Sequence, residues 1–471
     1  MLSVASATVV AVALPALASD LGAGGAEQQW IVDSFVLVFA SLLIAGGVVG
    51  DRRGRRTALL AGLGLFAAGS LWCVLAPSVD WLIAGRVIQA LGPPLVLPAS
   101  LAIVTSTYSD PAARARAVGL WGAGSGLGLT LGPLLGGLLV EGVGWRWVFG
   151  VNVPICAVLA LLALRSVPHD RPTPSAHRFD APAAVMLTAG VAFTVFGLIE
   201  GRRLGWASVE VLAAFAAGAI LAAAFARRER RHPAPLVDLQ LLRHRPFLGA
   251  NLAGATLFGA LTGLAVYLSI YFQQIQGRSA LEAGLCLLPQ GAFTMLCAPL
   301  AGRWAARHGP RPPVLAGLGL AAVAILALLR LEVGTSIAEV AWAFALLGVG
   351  TGLALPAMTV TALAAAPSTQ AGTASAVHNA SRQLGQTFAV AVLGTIILAQ
   401  AGDRADKGAL TGRLAGEWVE GLHLALVASA GALVAASVAA AILIPRGVLR
   451  TASGPAGGGD SPVATGARTH V

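Results

Sequence analysis

The chain has 471 residues, of which 56% are hydrophobic and 11% charged, and its mean hydropathy is +0.79. These proportions exclude a soluble globular protein, and they supply apolar sequence for about fourteen membrane spans of about 20 residues each. The formal charge of +10 does not indicate nucleic acid, because the arginines gather between apolar runs and no aromatics interleave with them; orientation in a lipid bilayer accounts for them.

Span 1 is predicted over residues 2–18. Ala16-Leu17-Ala18 has the look of a cleavage site, but no lysine or arginine precedes Arg52, so the basic start of a signal peptide is missing. Span 2, over 30–49, carries Asp33 and no base, and span 3, over 57–76, carries no charge. Between them Gly47-Val48-Val49-Gly50-Asp51-Arg52-Arg53-Gly54-Arg55-Arg56 reads as a tight turn at a membrane surface, with glycines for close approach and reversal and arginines at headgroup level. Span 4, over 81–104, has Arg86 and Gln89 three apart on one helical face. In span 5, over 118–140, Gly128, Gly132 and Gly136 recur every four residues, followed by Gly137. Such spacing makes a flat groove for another helix, and Pro133 adds a kink. Trp145-Arg146-Trp147 leads to Asn152, which opens span 6, and the tryptophans suit an interfacial aromatic belt.

A polar linker over 165–178 precedes spans 7 and 8 at 183–199 and 209–226, and a basic linker follows at 227–245. Spans 9 to 12 are predicted at 247–272, 283–305, 313–329 and 340–366. Span 13 starts within 374–378 and ends near 399, span 14 covers 422–444, and the tail from 446 is expected to be disordered. Gly302, Arg307, Gly309 and Arg311 repeat Gly47, Arg52, Gly54 and Arg56 at one offset, 302 − 47 = 309 − 54 = 255. Two related halves follow, of the kind that build a midplane site. The expected fold class is an all-α integral membrane protein of two pseudo-symmetric six-helix bundles with two inserted transmembrane helices. Its units are 1–166, 167–246, 247–445 and the tail 446–471. With the start of span 1 inside, the basic residues favour the cytoplasmic side roughly three to one, which places both termini in the cytoplasm.

The turn at Asp51 resembles the G-x-x-x-D-R-x-G-R-R signature of the major facilitator superfamily of transporters, with Gly47, Asp51, Arg52, Gly54 and Arg55 in the motif. Arg86 and Gln89 resemble its R-x-x-Q-G element, with Ala90 in place of the glycine. Gly128, Gly132, Pro133, Gly136 and Gly137 resemble the antiporter motif of its exporters, and the Trp145 to Pro154 block resembles that of the drug:proton antiporter group with fourteen spans. Residues 5–15 resemble that group's L-D-x-T-[IV]-V-N-V-A-L-P pattern, but Ser6 and Ala11 stand where it has aspartate and asparagine, so the aspartate's role does not carry over. The resemblance implies proton-coupled multidrug efflux across a bacterial inner membrane by alternating access, or a dedicated exporter of one antibiotic or metabolite on the same fold. It implies protons and a small amphipathic or cationic compound as partners, a monomer, and no enzyme activity. It also implies that Asp51 meets the start of span 13 near Gly372-Thr373 and latches one state.

An ionisable group inside a span is a functional candidate by default. Asp33 and Arg86 lie near the outer ends of their spans; they either meet across a cavity and couple proton to substrate, or snorkel as anchors. His378 and Arg382 lie with Ser375 and Gln386 on a polar stripe of span 13 that either faces a watery path or, if the span starts later, leaves His378 at the surface. His378 is a second proton candidate, and the Arg382-Gln383-Leu384-Gly385 part resembles an element of the same family. Gln89, Asn152, Asn251, Tyr267 and Gln386 are candidates for lining the cavity. Cys73, Cys156, Cys286 and Cys297 fall inside spans as small apolar side chains. No cofactor or metal site is expected, because there is no phosphate-binding loop and the eight histidines form no cluster.

Overall fold

The computed structural model describes residues 2–107, 110, 117, 128, 131–168, 180–232, 241–366, 371–401 and 412–446. Side chains are described there except at 2–8, 44, 45, 47, 48, 51, 52, 105, 106, 202, 242, 371–373 and 376. The expected linker at 165–178 and the tail from 446 therefore lie largely outside the described residues, as does the first part of span 5.

The described elements are helical. The first stretch contains α1 (Leu2–Leu21), α2 (Gly25–Arg53), α3 (Arg55–Val74), α4 (Val79–Ala90), α5 (Pro93–Thr107), α6 (Leu131–Val143), α7 (Trp147–Gly150) and α8 (Asn152–Ser166). The middle pair is α9 (Ala181–Leu204) and α10 (Val209–Arg231). The rest contains α11 (Arg245–Ile270, continued by a π-helical turn Tyr271–Ile275), α12 (Ala280–His308), α13 (Arg311–Ala327), α14 (Ile337–Ala364), α15 (Ala371–Ala401) and α16 (Arg413–Leu443). Among the described residues eleven helical stretches are long and apolar enough to cross a bilayer. Only helices with internally satisfied backbones suit that solvent.

Polar caps mark where chain leaves the apolar runs. Ser78 and Ser208 accept from the backbone N–H three residues on, and at Ser279 the capping is reciprocal with Glu282. Gly54 and Gly309, at φ +91° and +84°, make the reversals that end α2 and α12, a conformation side chains resist. Those helices display the repeat: each has 29 residues, and their ends differ by 280 − 25 = 308 − 53 = 255. Each starts with a backbone N–H donating to a glutamate three residues on, Gly24 to Glu27 and Ser279 to Glu282.

Span 4 stands as one apolar stretch over Val79–Val104, but inside it Leu91 and Gly92 separate α4 from α5, because Pro93 and Pro94 lack the N–H groups a continuous helix would use. The final span begins at Arg413, nine residues before residue 422. Arg413 pairs with Glu417 at 2.7 Å, while Trp418 and Val419 turn inward. Of the two tryptophans expected at an interfacial belt, Trp147 is exposed, while Trp145 is buried and donates to Asp20 Oδ2 at 3.0 Å, and the same oxygen pairs with Arg146 at 2.9 Å.

Helices meet through small residues. A Cβ on Gly259 would lie 2.6 Å from the Gly385 carbonyl, and one on Gly317 would lie 2.5 Å from that of Gly350. Backbones this close gain packing where lipid supplies no hydrophobic drive. Large apolar side chains face outward instead, as at Val209, Ile220 and Ile442. Contacts group α2 to α5 with α8, and α11 to α16 with each other, while α2 meets α15 and α1 meets α11 across the groups. The α9–α10 pair attaches through α9, which packs against both α2 and α15.

Candidate functional site

Arg86 is wholly buried on α4. Its Nε donates to the Ile31 carbonyl at 3.1 Å and its Nη1 to Gln89 Oε1 at 2.7 Å. Gln89 passes the chain on to Ser70 Oγ at 2.8 Å, and the guanidinium lies 4.2 Å from the Phe35 ring centre. Asp33, on the same helix as Phe35, is also fully buried, yet neither carboxylate oxygen has a hydrogen-bond partner. The pair foreseen between Asp33 and Arg86 is therefore not formed in this conformation. Arg86 is occupied by a backbone carbonyl and an amide, and neither residue snorkels.

The two groups of helices close on each other at the end that carries Ser279. Gln273 Nε2 donates to the Val12 carbonyl at 2.8 Å and Ser279 Oγ to Glu141 Oε2 at 2.9 Å. A Cβ on Gly137 would lie 2.6 Å from the Ala280 carbonyl, and one on Gly136 2.9 Å from that of Val9. The groove foreseen on span 5 is thus filled, by α12 and α1, with Pro133 at the same contact through Gly284. Gly132 is buried beside them, and Gly128 is described only as an isolated buried residue. Tyr267 donates to the Val390 carbonyl at 2.8 Å, and any side chain on Gly394 would run into Tyr267 and Gln29. A cavity between Leu14, Gln28, Gln29, Tyr267, Gln274 and Trp418 has about 30 Å³ of room. That suits a water and no drug-sized molecule.

On α15, Arg382 lies with its guanidinium 3.5 Å from the Phe258 ring centre, and His378 is buried with Nδ1 3.2 Å from Asn251 Oδ1. His378 is thus no surface residue. Gln386 is buried on the same helix. Asn152, at the start of α8, turns back toward the Val148 carbonyl of α7 at 3.5 Å. At the opposite end Arg55 donates to the Ala102 carbonyl at 3.1 Å and Arg56 to that of Leu164 at 2.7 Å, tying the start of α3 to α5 and α8. The side chains of Asp51 and Arg52, the position of Gly47 beyond its backbone, and the Gly372-Thr373 side chains lie outside the described set.

One cluster was not foreseen. Asp180, buried at the start of α9, accepts from Arg228 Nε at 2.7 Å with His232 at 3.6 Å, and caps α9 by accepting from Ala183 N–H. Burial pushes its carboxyl upward, but the Arg228 and Ala183 hydrogen bonds and the nearby His232 outweigh it and hold the group below its ordinary value. In the sequence Asp180 is one acid just after a polar linker; its partner 48 residues away gave no local signal.

Residues 1–390 match the family described as the Major Facilitator Superfamily. The multidrug resistance protein Stp of Mycobacterium tuberculosis is 36% identical over 83% of this chain and 73% of its own length. The methylenomycin A resistance protein of Streptomyces coelicolor is 35% identical over 83% of this chain and 82% of its own. In fold, the chain is similar to a bacterial homolog of the human lysosomal transporter Spinster in an inward-facing, unoccupied conformation. The TM-score is 0.64, with 20% identity and 94% of each chain covered.

Proposed function

The chain belongs to the Major Facilitator Superfamily, and from that premise we propose that it is a proton-coupled exporter of small amphipathic compounds working by alternating access. The reading assigns fourteen spans, a six-helix unit at 1–166, inserted spans within 167–246 and a second six-helix unit at 247–445. It places the Ser279 end outside, both termini in the cytoplasm and the protein, as a monomer, in a bacterial inner membrane. Substrate moves outward through a chamber that opens to one side at a time.

The observation that carries the coupling is Asp33: a buried carboxyl with no partner on either oxygen, on a helix that meets the other half. A proton removes the cost of an unpaired charge there, and opening of the seam would hydrate the group and let the proton leave. His378 and Arg382 form a second polar station in the other half. Relatives named for multidrug resistance support a broad substrate range. A dedicated exporter of one compound is the second reading, favoured by relatives such as the methylenomycin A resistance protein.

The test is dye uptake into everted membrane vesicles under an imposed pH gradient, for the parent, Asp33→Asn and His378→Ala. Proton-driven uptake is expected in the parent and lost in Asp33→Asn at equal protein amount. Uptake that continues after the gradient is collapsed overturns the coupling.

A further inference from the structure

Three side chains of α15, His378, Arg382 and Gln383, carry a buried polar atom with no hydrogen-bond partner, and the first two pack against Gly254 of α11. His378 is 1% exposed, and its Nε2 has no hydrogen-bond partner. Arg382, one turn on, has an Nε without a partner. Among the described residues it makes one hydrogen bond, Nη1 to Asn379 Oδ1, long at 3.5 Å, and no acid pairs with it. Residues four apart on a helix are neighbours. Gly254 of α11 makes the space for both: a Cβ there would lie 3.1 Å from His378 Cε1 and 3.3 Å from Arg382 Cγ.

The roles of the two atoms follow from their neighbours. Asn251 Nδ2 donates to the Phe247 carbonyl at 2.8 Å, which turns Oδ1 toward His378. An amide oxygen only accepts, so His378 Nδ1 carries its proton and Nε2 is left, in the neutral ring, as an acceptor. Arg382 Nε–H is a donor of fixed charge. An unpartnered donor and an unpartnered acceptor one helical turn apart, with a guanidinium that no described acid pairs, are matched in both hydrogen bonding and charge by a carboxyl group, its carbonyl oxygen on Arg382 and its O–H on His378. The carboxylate with an imidazolium is the same pairing with the proton moved across. Phe258, stacked under the guanidinium, adds an apolar wall for the body of the molecule.

We infer that this face is a receptor for the carboxyl group of an amphipathic acid, so that the compounds exported include acids and not only cations. The inference rests on the export reading above and adds a substrate class to it. An ester has no O–H to give His378 and fails that contact; an amide or a hydroxyl can meet both atoms but brings no negative charge to the Arg382 guanidinium.

The test uses full-length protein in lipid nanodiscs and two probes of one body, 1-pyrenebutyric acid and its methyl ester, with binding to protein-free nanodiscs subtracted. The acid is expected to bind about tenfold or more tighter than the ester, in line with hydrogen bonds to a charged group. Arg382→Gln and His378→Ala are each expected to bring the two affinities within about twofold while leaving the ester's affinity in place, which also reports that the variants are folded. Gln383→Ala, on the adjacent position, is expected to keep the preference. Equal binding of acid and ester by the parent, binding of neither, or a preference that survives Arg382→Gln overturns the inference. The export reading fails separately, if vesicles carrying the parent protein accumulate no dye while the acid still binds.

Discussion

Arg86 is the residue on which the first half's interior turns. It ties the Ile31 carbonyl on α2 to Gln89 and, through it, to Ser70 on α3, so three helices share one guanidinium. Arg86→Ala is expected to cost on the order of 2 kcal/mol, since hydrogen bonds from a charged group are worth about 1.5–3 kcal/mol, with Arg86→Lys recovering part of the loss. Thermal exposure of the buried cysteines to a thiol-reactive dye measures it, because Cys73, Cys156 and Cys286 are inaccessible in the fold. Asp180 gives a pH prediction. Its carboxyl lies below the ordinary value when folded, so its contribution is present above the unfolded value of about 4 and is lost as pH falls through the folded one. Melting temperature between pH 7 and pH 3 should therefore fall less in Asp180→Asn than in the parent, and Asp180→Ala should cost about 1 kcal/mol at pH 7 as a lost cap. Arg86 and Asp33 were legible as candidates because charge in an apolar run is rare. That they do not pair was not legible, since the competing acceptors are a backbone carbonyl and an amide.

At the level of elements, the glycines of α6 are where packing and transport meet. Sequence spacing announced a flat helix face but not its occupant, which is α12 from the other half on one side and α1 on the other. Gly137→Leu places carbon against the Ala280 carbonyl and Leu281 Cα, both backbone positions that cannot turn aside. Overpacking of this kind costs roughly 1–3 kcal/mol, and it acts only in the state closed at the Ser279 end. The variant is expected to lose at least tenfold in dye transport at normal membrane abundance. Gly142→Leu, where a Cβ meets nothing within 4 Å, should transport as the parent does. Helix boundaries in the sequence held best where apolar runs met caps or arginines. They failed at Pro93, where a proline pair splits one run, and at Arg413, where intrahelical charge pairing carries a helix through polar sequence.

Across the whole molecule, the 255-residue offset first seen in four residues extends to the length, the capping and the closing glycine of α2 and α12. The offset was readable because the turn chemistry repeats, although the acid does not: Ala306 stands opposite Asp51. What the sequence did not carry is the way α9 spans the seam, touching α2 and α15 together, since attachment of an inserted pair depends on contacts between distant elements. Its Thr395 bond, from Oγ1 to the Leu198 carbonyl at 2.9 Å, lies on that seam. A rocking motion of two halves needs both seams to alternate.

The direct test is a pair of spin-label distances in the reconstituted protein, one between Val143 and Val333 at the Ser279 end and one between Arg165 and Arg307 at the other, all exposed positions. Under a proton gradient with a transported dye, the first distance should lengthen as the second shortens. Distances that both stay fixed, or that change in the same sense, while dye is being moved would contradict alternating access in this protein.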